Sequence, residues 1–335
     1  MDRRFLLDKS TVIGAGLMGT QIGIVMSKQS RVVVLMSRHR DTLQRARRNA
    51  AIYLHHLHQH GHLDGQDPET VLERIRFTQQ LSEALTGAGL VVESIPENLT
   101  AKQGLFRQIE KIVTPECLLV SNTSSLPISQ LAESVDQPGR LAGTHFVQPA
   151  HVVPVVEVVS GMQTDRKTTN RLVRIWRKMG KIPLLVKKDV PGFLINRMQH
   201  ALIREAVRLL SQGVASVEDI DLGVRLGLGP RFATSGPLEQ RDLNGLRMHR
   251  QVAEHLWKFL DGWQEPFAYL NKMVEGGNIG IESGRGFYDW SGTEPSVVRK
   301  RKNESLLRFY ENIMCDWEDE KRDSRDNKNG RGRRS

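Results

Sequence analysis

His145 and Glu157 stand twelve positions apart in the segment GTHFVQPAHVVPVVEVV, and their side chains are of the types that proton transfer at a carbinol oxygen requires. An imidazole takes up and releases protons near neutral pH, and a carboxylate can orient the ring and stabilise the imidazolium that forms. Such a base would take a hydroxyl proton while hydride leaves the same carbon. Neither residue is diagnostic alone, since a single histidine among apolar residues is ordinarily a core or surface side chain. The pair gains meaning from the elements that must position it.

The first of these is Thr11 to Ile24, TVIGAGLMGTQIGI, where a short apolar run leads into Gly14, Gly16 and Gly19 with the spacing G-x-G-x-x-G. The pattern reads as the first strand, turn and helix of a dinucleotide-binding unit. Gly14 would allow the tight turn, Gly16 the approach of a pyrophosphate and Gly19 close helix-to-strand packing, with Leu17 and Met18 at the phosphate-facing helix N-terminus. A second apolar strand, Val32 to Met36, ends in Ser37, Arg38, His39 and Arg40, where NAD-binding units commonly carry Asp or Glu. A hydroxyl followed by arginine can instead hold a ribose 2′-phosphate, because guanidinium binds phosphate bidentately. NAD is the expected cofactor, with NADP the alternative that Ser37 and Arg38 raise.

Apolar strands and amphipathic helices continue to alternate: Leu90 to Val92 as strand, Ala101 to Ile112 as helix, Leu118 to Val120 as strand and Pro183 to Val186 as a late strand. This is the pattern of an α/β domain with parallel strands. Asp189, Val190, Pro191 and Gly192 then punctuate the chain, and long helical patterns follow, such as Asn196 to Ser211 and Leu246 to Leu260. The expected division is a Rossmann-like α/β domain over 1–189, an all-α domain over 190–317 and a charged, unstructured tail over 318–335.

Of 335 residues, 39% are hydrophobic, enough for two cores, and no apolar stretch approaches the roughly twenty residues that span a bilayer. Two cysteines, Cys117 and Cys315, make no disulfide framework and suit a reducing, cytoplasmic setting. The formal net charge of +10 is half accounted for by the tail from Lys321, which holds seven basic and two acidic residues. No basic helix with interleaved aromatics is evident elsewhere, so specific nucleic-acid binding is not expected.

The chain from Val12 to Trp290 resembles the L-3-hydroxyacyl-CoA dehydrogenase family, in six motifs occurring in the family's order: VIGAGLMG, VVESIPEN, SNTSSLPI, GTHFVQP, VPGFLINR and GRGFYDW. The resemblance implies a Rossmann-like domain joined to an all-helical domain through which two subunits dimerise, with a small-molecule substrate in the cleft between domains. It assigns His145 as acid/base, Glu157 as its partner, Ser124 and Asn196 as hydrogen-bond donors to the reacting oxygen, and Glu97, Lys102 and Asn122 to the cofactor side. Gln148-Pro149 departs from the family's usual Asn-Pro, and the longer amide would sit about an ångström or more from its usual place.

Within this superfamily one branch takes acyl-CoA thioesters and another, similar to lambda-crystallin and gulonate dehydrogenase, takes small free hydroxy acids. SNTSS and IESGRGFYDW resemble the first branch; Pro154 and GLGPRFATSGPLEQRDLNG, with Arg231 as a carboxylate anchor, resemble the second. Arg45, Arg47 and Arg48 either meet CoA phosphates or form a solvated face. The first expectation is interconversion of an L-3-hydroxyacyl-CoA and a 3-oxoacyl-CoA. Its alternatives are oxidation of a small free 3-hydroxy acid and a non-catalytic, crystallin-like nucleotide-binding protein. The histidines of LHHLHQHGH (His55, His56, His58, His60 and His62) are expected to be an exposed extension of a helix, and no metal is called for.

Overall fold

The computed structural model describes residues 6–260, 262 and 268–330, with side chains to 314. The chain divides into two contact units, Met1–Arg197 and Met198–Ser335.

The first unit begins with β1 (Leu7–Ile13), α1 (Leu17–Ser27), β2 (Ser30–Met36), α2 (Arg40–Gln59), α3 (Pro68–Glu73), β3 (Ile75–Thr78), α4 (Leu81–Leu85) and β4 (Leu90–Glu93). It continues with α5 (Leu99–Glu110), β5 (Leu118–Ser121), α6 (Ile128–Ala132), β6 (Leu141–Phe146), β7 (Val155–Val159), α7 (Arg166–Lys178), β8 (Ile182–Val186) and the start of α8 (Ile195–Ser211). The eight strands form one sheet in the order β3-β2-β1-β4-β5-β6-β7-β8. Because β2 and β3 lie on one side of β1 and β4 and β5 on the other, the order reverses between β1 and β4, the switch point at whose carboxyl ends open α/β sheets bind their ligands.

Successive strand residues enter opposite cores. Val12, Val33, Leu35, Leu118 and Val120 pack on one face with Ile22, Leu54 and Trp176, while Ile13, Val34, Met36 and Leu119 pack on the other with Phe106, Ile109 and Leu131. Burial on both faces is why these strands read as continuous apolar runs. The expectation of parallel strands holds from β3 through β6 but fails at β7, which runs antiparallel to β6. The connection over 147–154 is too short for the crossover a parallel neighbour needs, so the chain turns back on itself. β8, reached through α7, is parallel to β7.

Helix ends follow their caps. α5 starts before Ala101 because the Asn98 side chain accepts from Ala101 N at 2.9 Å. α2 extends into the histidine stretch as far as Gln59, with His60 and His62 beyond its end, and buries Leu54 and Leu57. His55 Nε2 meets Glu69 Oε1 at 3.1 Å and His58 Nδ1 meets Gln66 O at 3.2 Å. Among the described residues no group of three His, Cys, Asp or Glu is placed to hold a metal ion, and no helix is long and apolar enough to cross a membrane.

The second unit is helical: the rest of α8, then α9 (Val217–Leu222), a wider turn over Gly223–Leu228, α10 (Gly229–Thr234), α11 (Pro237–Asn244), α12 (Leu246–Leu256), α13 (Ala268–Glu275) and α14 (Pro295–Gly330). The pattern expected as one helix to Leu260 tightens into a 3₁₀ turn at Trp257–Phe259. α14 carries helical backbone through Gly330, into the segment expected as an unstructured tail, because no Gly or Pro interrupts the chain between Pro295 and Gly330. The last part of that tail, 331–335, lies outside the described residues, as does the side chain of Cys315.

Candidate active site

The glycine turn closes over the switch point. Gly14, at φ +105°, lies so near β4 that a Cβ on it would come within 2.3 Å of Ser94 O. A Cβ on Gly19 would stand 1.8 Å from Gly14 O, so α1 rests directly on the turn. A Cβ on Gly16 would meet nothing within 4 Å. This combination of a tight turn, a tight helix contact and an open middle position at a helix N-terminus is the cradle a pyrophosphate needs. Leu17 is exposed, whereas Met18 packs on the core. Ser37, at the end of β2, is buried with its hydroxyl accepting from His39 N at 3.3 Å, and Arg38 is exposed.

His145 and Glu157 are direct cross-strand partners in the β6–β7 ladder. His145 Nδ1 and Glu157 Oε2 are 2.5 Å apart, with both residues buried. The other carboxylate oxygen, Oε1, accepts from Leu194 N at 2.8 Å and Ile195 N at 3.1 Å. Glu157 therefore caps the first turn of α8 with one oxygen and orients the imidazole with the other. The N–H donors and the positive helix end meet the lone pairs of this buried side chain. An ionised Glu157 can only accept, so it selects the tautomer with the proton on Nδ1 and leaves Nε2 basic. Phe193, buried and at φ +51°, places its ring 5.9 Å from the imidazole.

The serine loop after β5 is organised by Glu97. Its carboxylate accepts from the Thr123 hydroxyl, from Ser124 N at 3.0 Å and from Ser125 N at 3.1 Å, and lies 3.2 Å from Lys102 Nζ. Burial raises the Glu97 carboxyl, but the Thr123 hydroxyl, the Lys102 ammonium and the Ser125 N–H outweigh it and hold it down at about 2. Ser124 O accepts from Asn196 Nδ2 at 3.2 Å, so two residues far apart in sequence meet. Asn122 Oδ1 accepts from Phe146 N at 3.1 Å and its Nδ2 donates to Ser94 Oγ at 3.3 Å, tying the ends of β4, β5 and β6 together.

Lys102, expected on the cofactor side, is fully buried; its ammonium bonds Glu93 Oε1 at 2.7 Å, Ile95 O at 3.1 Å and Glu97 Oε2 at 3.2 Å. Those three acceptors match its three protons. It braces the β4–α5 connection rather than presenting a free cation. Glu93, its buried partner, also accepts from Ser121 Oγ at 2.5 Å. The sequence reading passed over Glu93, as over Thr123 and Phe193. A charged residue closing the apolar run LVVE was the available signal for Glu93. Gln148 is exposed on the segment after β6, and Arg231 lies exposed on α10 in the second unit, with its carbonyl accepting from Gln240 Nε2 at 2.8 Å.

The model of the 3-hydroxyacyl-CoA dehydrogenase NAD-binding domain matches residues 9–190, and that of the family's C-terminal domain matches residues 192–290. The chain belongs to the 3-hydroxyacyl-CoA dehydrogenase family. It is 38% identical over 283 residues to a probable 3-hydroxybutyryl-CoA dehydrogenase of Deinococcus radiodurans, covering 84% of this chain and all of that one. It is 32% identical over 240 residues to the 5-formyl-3-hydroxy-2-methylpyridine 4-carboxylate 5-dehydrogenase of Mesorhizobium japonicum, covering 72% of this chain and 78% of that one. A crystal structure of an enzyme of this latter name, described as an NAD⁺-dependent dismutase, superposes with a TM-score of 0.83 at 28% identity, over 92% of this chain and 99% of that one. As a family member with an NAD-binding domain, the chain is an NAD(P)-dependent oxidoreductase.

Proposed function

We propose that the protein oxidises and reduces a small free acid bearing a carbinol or carbonyl carbon, with His145 as acid/base and NAD as cofactor. The observation carrying this reading is the likeness over nearly the full length of both chains to an enzyme named for a pyridine carboxylate rather than a thioester. Arg231, in a segment resembling the free-acid branch, is the guanidinium we assign to the substrate carboxylate, on sequence grounds. The hydroxyacyl-CoA reading stands second, favoured by the match to the whole length of the Deinococcus radiodurans relative.

In oxidation, His145 Nε2 takes the hydroxyl proton and the ring becomes imidazolium, which Glu157 stabilises through Nδ1–H. Gly14, Gly16, Gly19 and the α1 N-terminus would hold the pyrophosphate of NAD, which when bound would supply the hydride acceptor. Ser124 and Asn196, joined to each other, are assigned to the reacting oxygen and stabilise the charge that develops there. Reduction runs in reverse, with the imidazolium returning the proton. The buried Ser37 hydroxyl and exposed Arg38 leave NADP as the alternative cofactor.

Initial rates with small free hydroxy acids such as gulonate, beside acetoacetyl-CoA and with both cofactors in the matching redox state, test the reading. The expected result is turnover of a free acid with NAD, and a rise in KM on Arg231→Met. Turnover confined to the thioester would sink the free-acid proposal and leave the second reading. A strong NADPH preference would transfer the cofactor assignment to Ser37 and Arg38.

A further inference from the structure

His145 and Glu157 face each other only while β6 and β7 keep their register, and a slip of one residue would turn either side chain to the opposite face of the sheet. In a tight hairpin the turn itself fixes register. Here the strands are joined by the longer segment 147–154, so something else must hold it. Part of the answer is internal: Val152 N and Val153 N both donate to Pro149 O at 2.9 Å.

The rest comes from two buried side chains distant in sequence. Ala150, itself buried, is held from both sides. Its N–H donates to Gln21 Oε1 at 2.8 Å, and its carbonyl accepts from Lys181 Nζ at 2.6 Å. The same ammonium donates to Val153 O, also at 2.6 Å, and the next residue, Ile182, donates its N–H to Pro154 O at 2.8 Å. Gln21 lies on α1, the helix that begins at the glycine turn, and Lys181 immediately precedes β8, which pairs with β7. Lys181 is almost fully buried, and among the described residues its hydrogen bonds go to those two carbonyls. Burying an ammonium without a carboxylate partner is unfavourable, and its stem could be replaced by an apolar side chain. What no apolar side chain can do is bond two carbonyls of the same loop.

We propose that Gln21 and Lys181 clamp the β6–β7 connection and are positioning residues that set His145 against Glu157 and relative to the cofactor helix. The inference rests on the reading of His145 as acid/base. Gln21 and Lys181 belong neither to the glycine turn nor to the His145–Glu157 pair, so loss of the clamp is expected to act on kcat and to leave ground-state binding intact.

Gln21→Leu removes the acceptor for Ala150 N, Gln21→Glu restores one, and Lys181→Met removes the cation at similar volume. Each is measured by kcat, KM, NADH dissociation constant and the NMR signal of the His145 Nδ1 proton, which needs no substrate. For Gln21→Leu we expect kcat to fall roughly 10- to 100-fold, with KM and NADH affinity within about twofold and the imidazole signal shifted. Gln21→Glu should recover most of the loss. Folded Gln21→Leu protein with wild-type kcat and an unmoved signal overturns the clamp, as does a loss that Gln21→Glu leaves unrepaired. Should Lys181→Met fail to fold, the two Gln21 variants decide. If wild-type protein turns over none of the substrates yet Gln21→Leu still shifts the imidazole signal, the functional reading fails and the clamp stands.

Discussion

Glu157 receives three N–H donors on one fully buried carboxylate: two from the backbone at the start of α8 and one from the imidazole. Glu157→Gln keeps the shape and an acceptor for the helix but turns an amide N–H toward His145 Nδ1. The ring then carries its proton on Nε2 and ceases to be a base. We expect kcat for oxidation to fall by roughly 10³- to 10⁴-fold with little change in thermal midpoint; steady-state rates beside a melting curve check it. Glu97 makes a different prediction. Its folded pKa of about 2 lies below the ordinary 4.5, so its stabilising contribution is complete above about 4.5 and is lost as pH falls from there through about 2. Glu97→Gln should flatten the stability profile across that window in acid titrations followed by circular dichroism. At this scale the motifs name His145, Glu157, Ser124 and Asn196, and the structure pairs the first two and joins the last two. Glu93, Gln21 and Lys181 were not legible, because what distinguishes them is which buried polar groups they satisfy, and that is fixed only when remote segments meet.

The spacing of the three glycines in the turn into α1 was legible as a phosphate cradle, and the structure separates what each one does. Gly19 has Gly14 O where a methyl group would go, whereas Gly16 faces open space at an ordinary φ of −71°. Gly19→Ala should lower the melting temperature by several degrees. Gly16→Ala should leave it within about 2 °C and weaken NADH binding at least about tenfold, as read by fluorescence titration. Equal NADH affinity in Gly16→Ala would remove the phosphate from that position. The sequence pattern implies parallel strands throughout and names no strand at β7, which runs antiparallel to β6. Apolar runs such as VVEVV report burial on two faces but not strand direction, which here follows from the length of the preceding connection.

In the second unit, large apolar side chains stay exposed in this single chain: Leu226 at 71%, Leu243 at 75% and Trp257 at 65%. Exposed apolar side chains of this size form interaction surfaces where they adjoin one another. We expect a homodimer built on this helical unit, with a light-scattering mass of about twice the 37.9 kDa chain and with Leu243→Glu shifting it toward the monomer. A wild-type mass equal to one chain would contradict it. The two-part organisation was legible in the change from alternating strands to helical patterns after Val186.

His145→Ala tests the central claim most directly, with turnover and NADH binding measured on the same folded protein. In the proposed mechanism the imidazole acts on the proton of the reacting oxygen, and it is no part of the glycine turn. We predict kcat reduced by about 10²- to 10⁴-fold with the NADH dissociation constant unchanged. Turnover close to that of the wild type would show that His145 is not the acid/base and would contradict the mechanism.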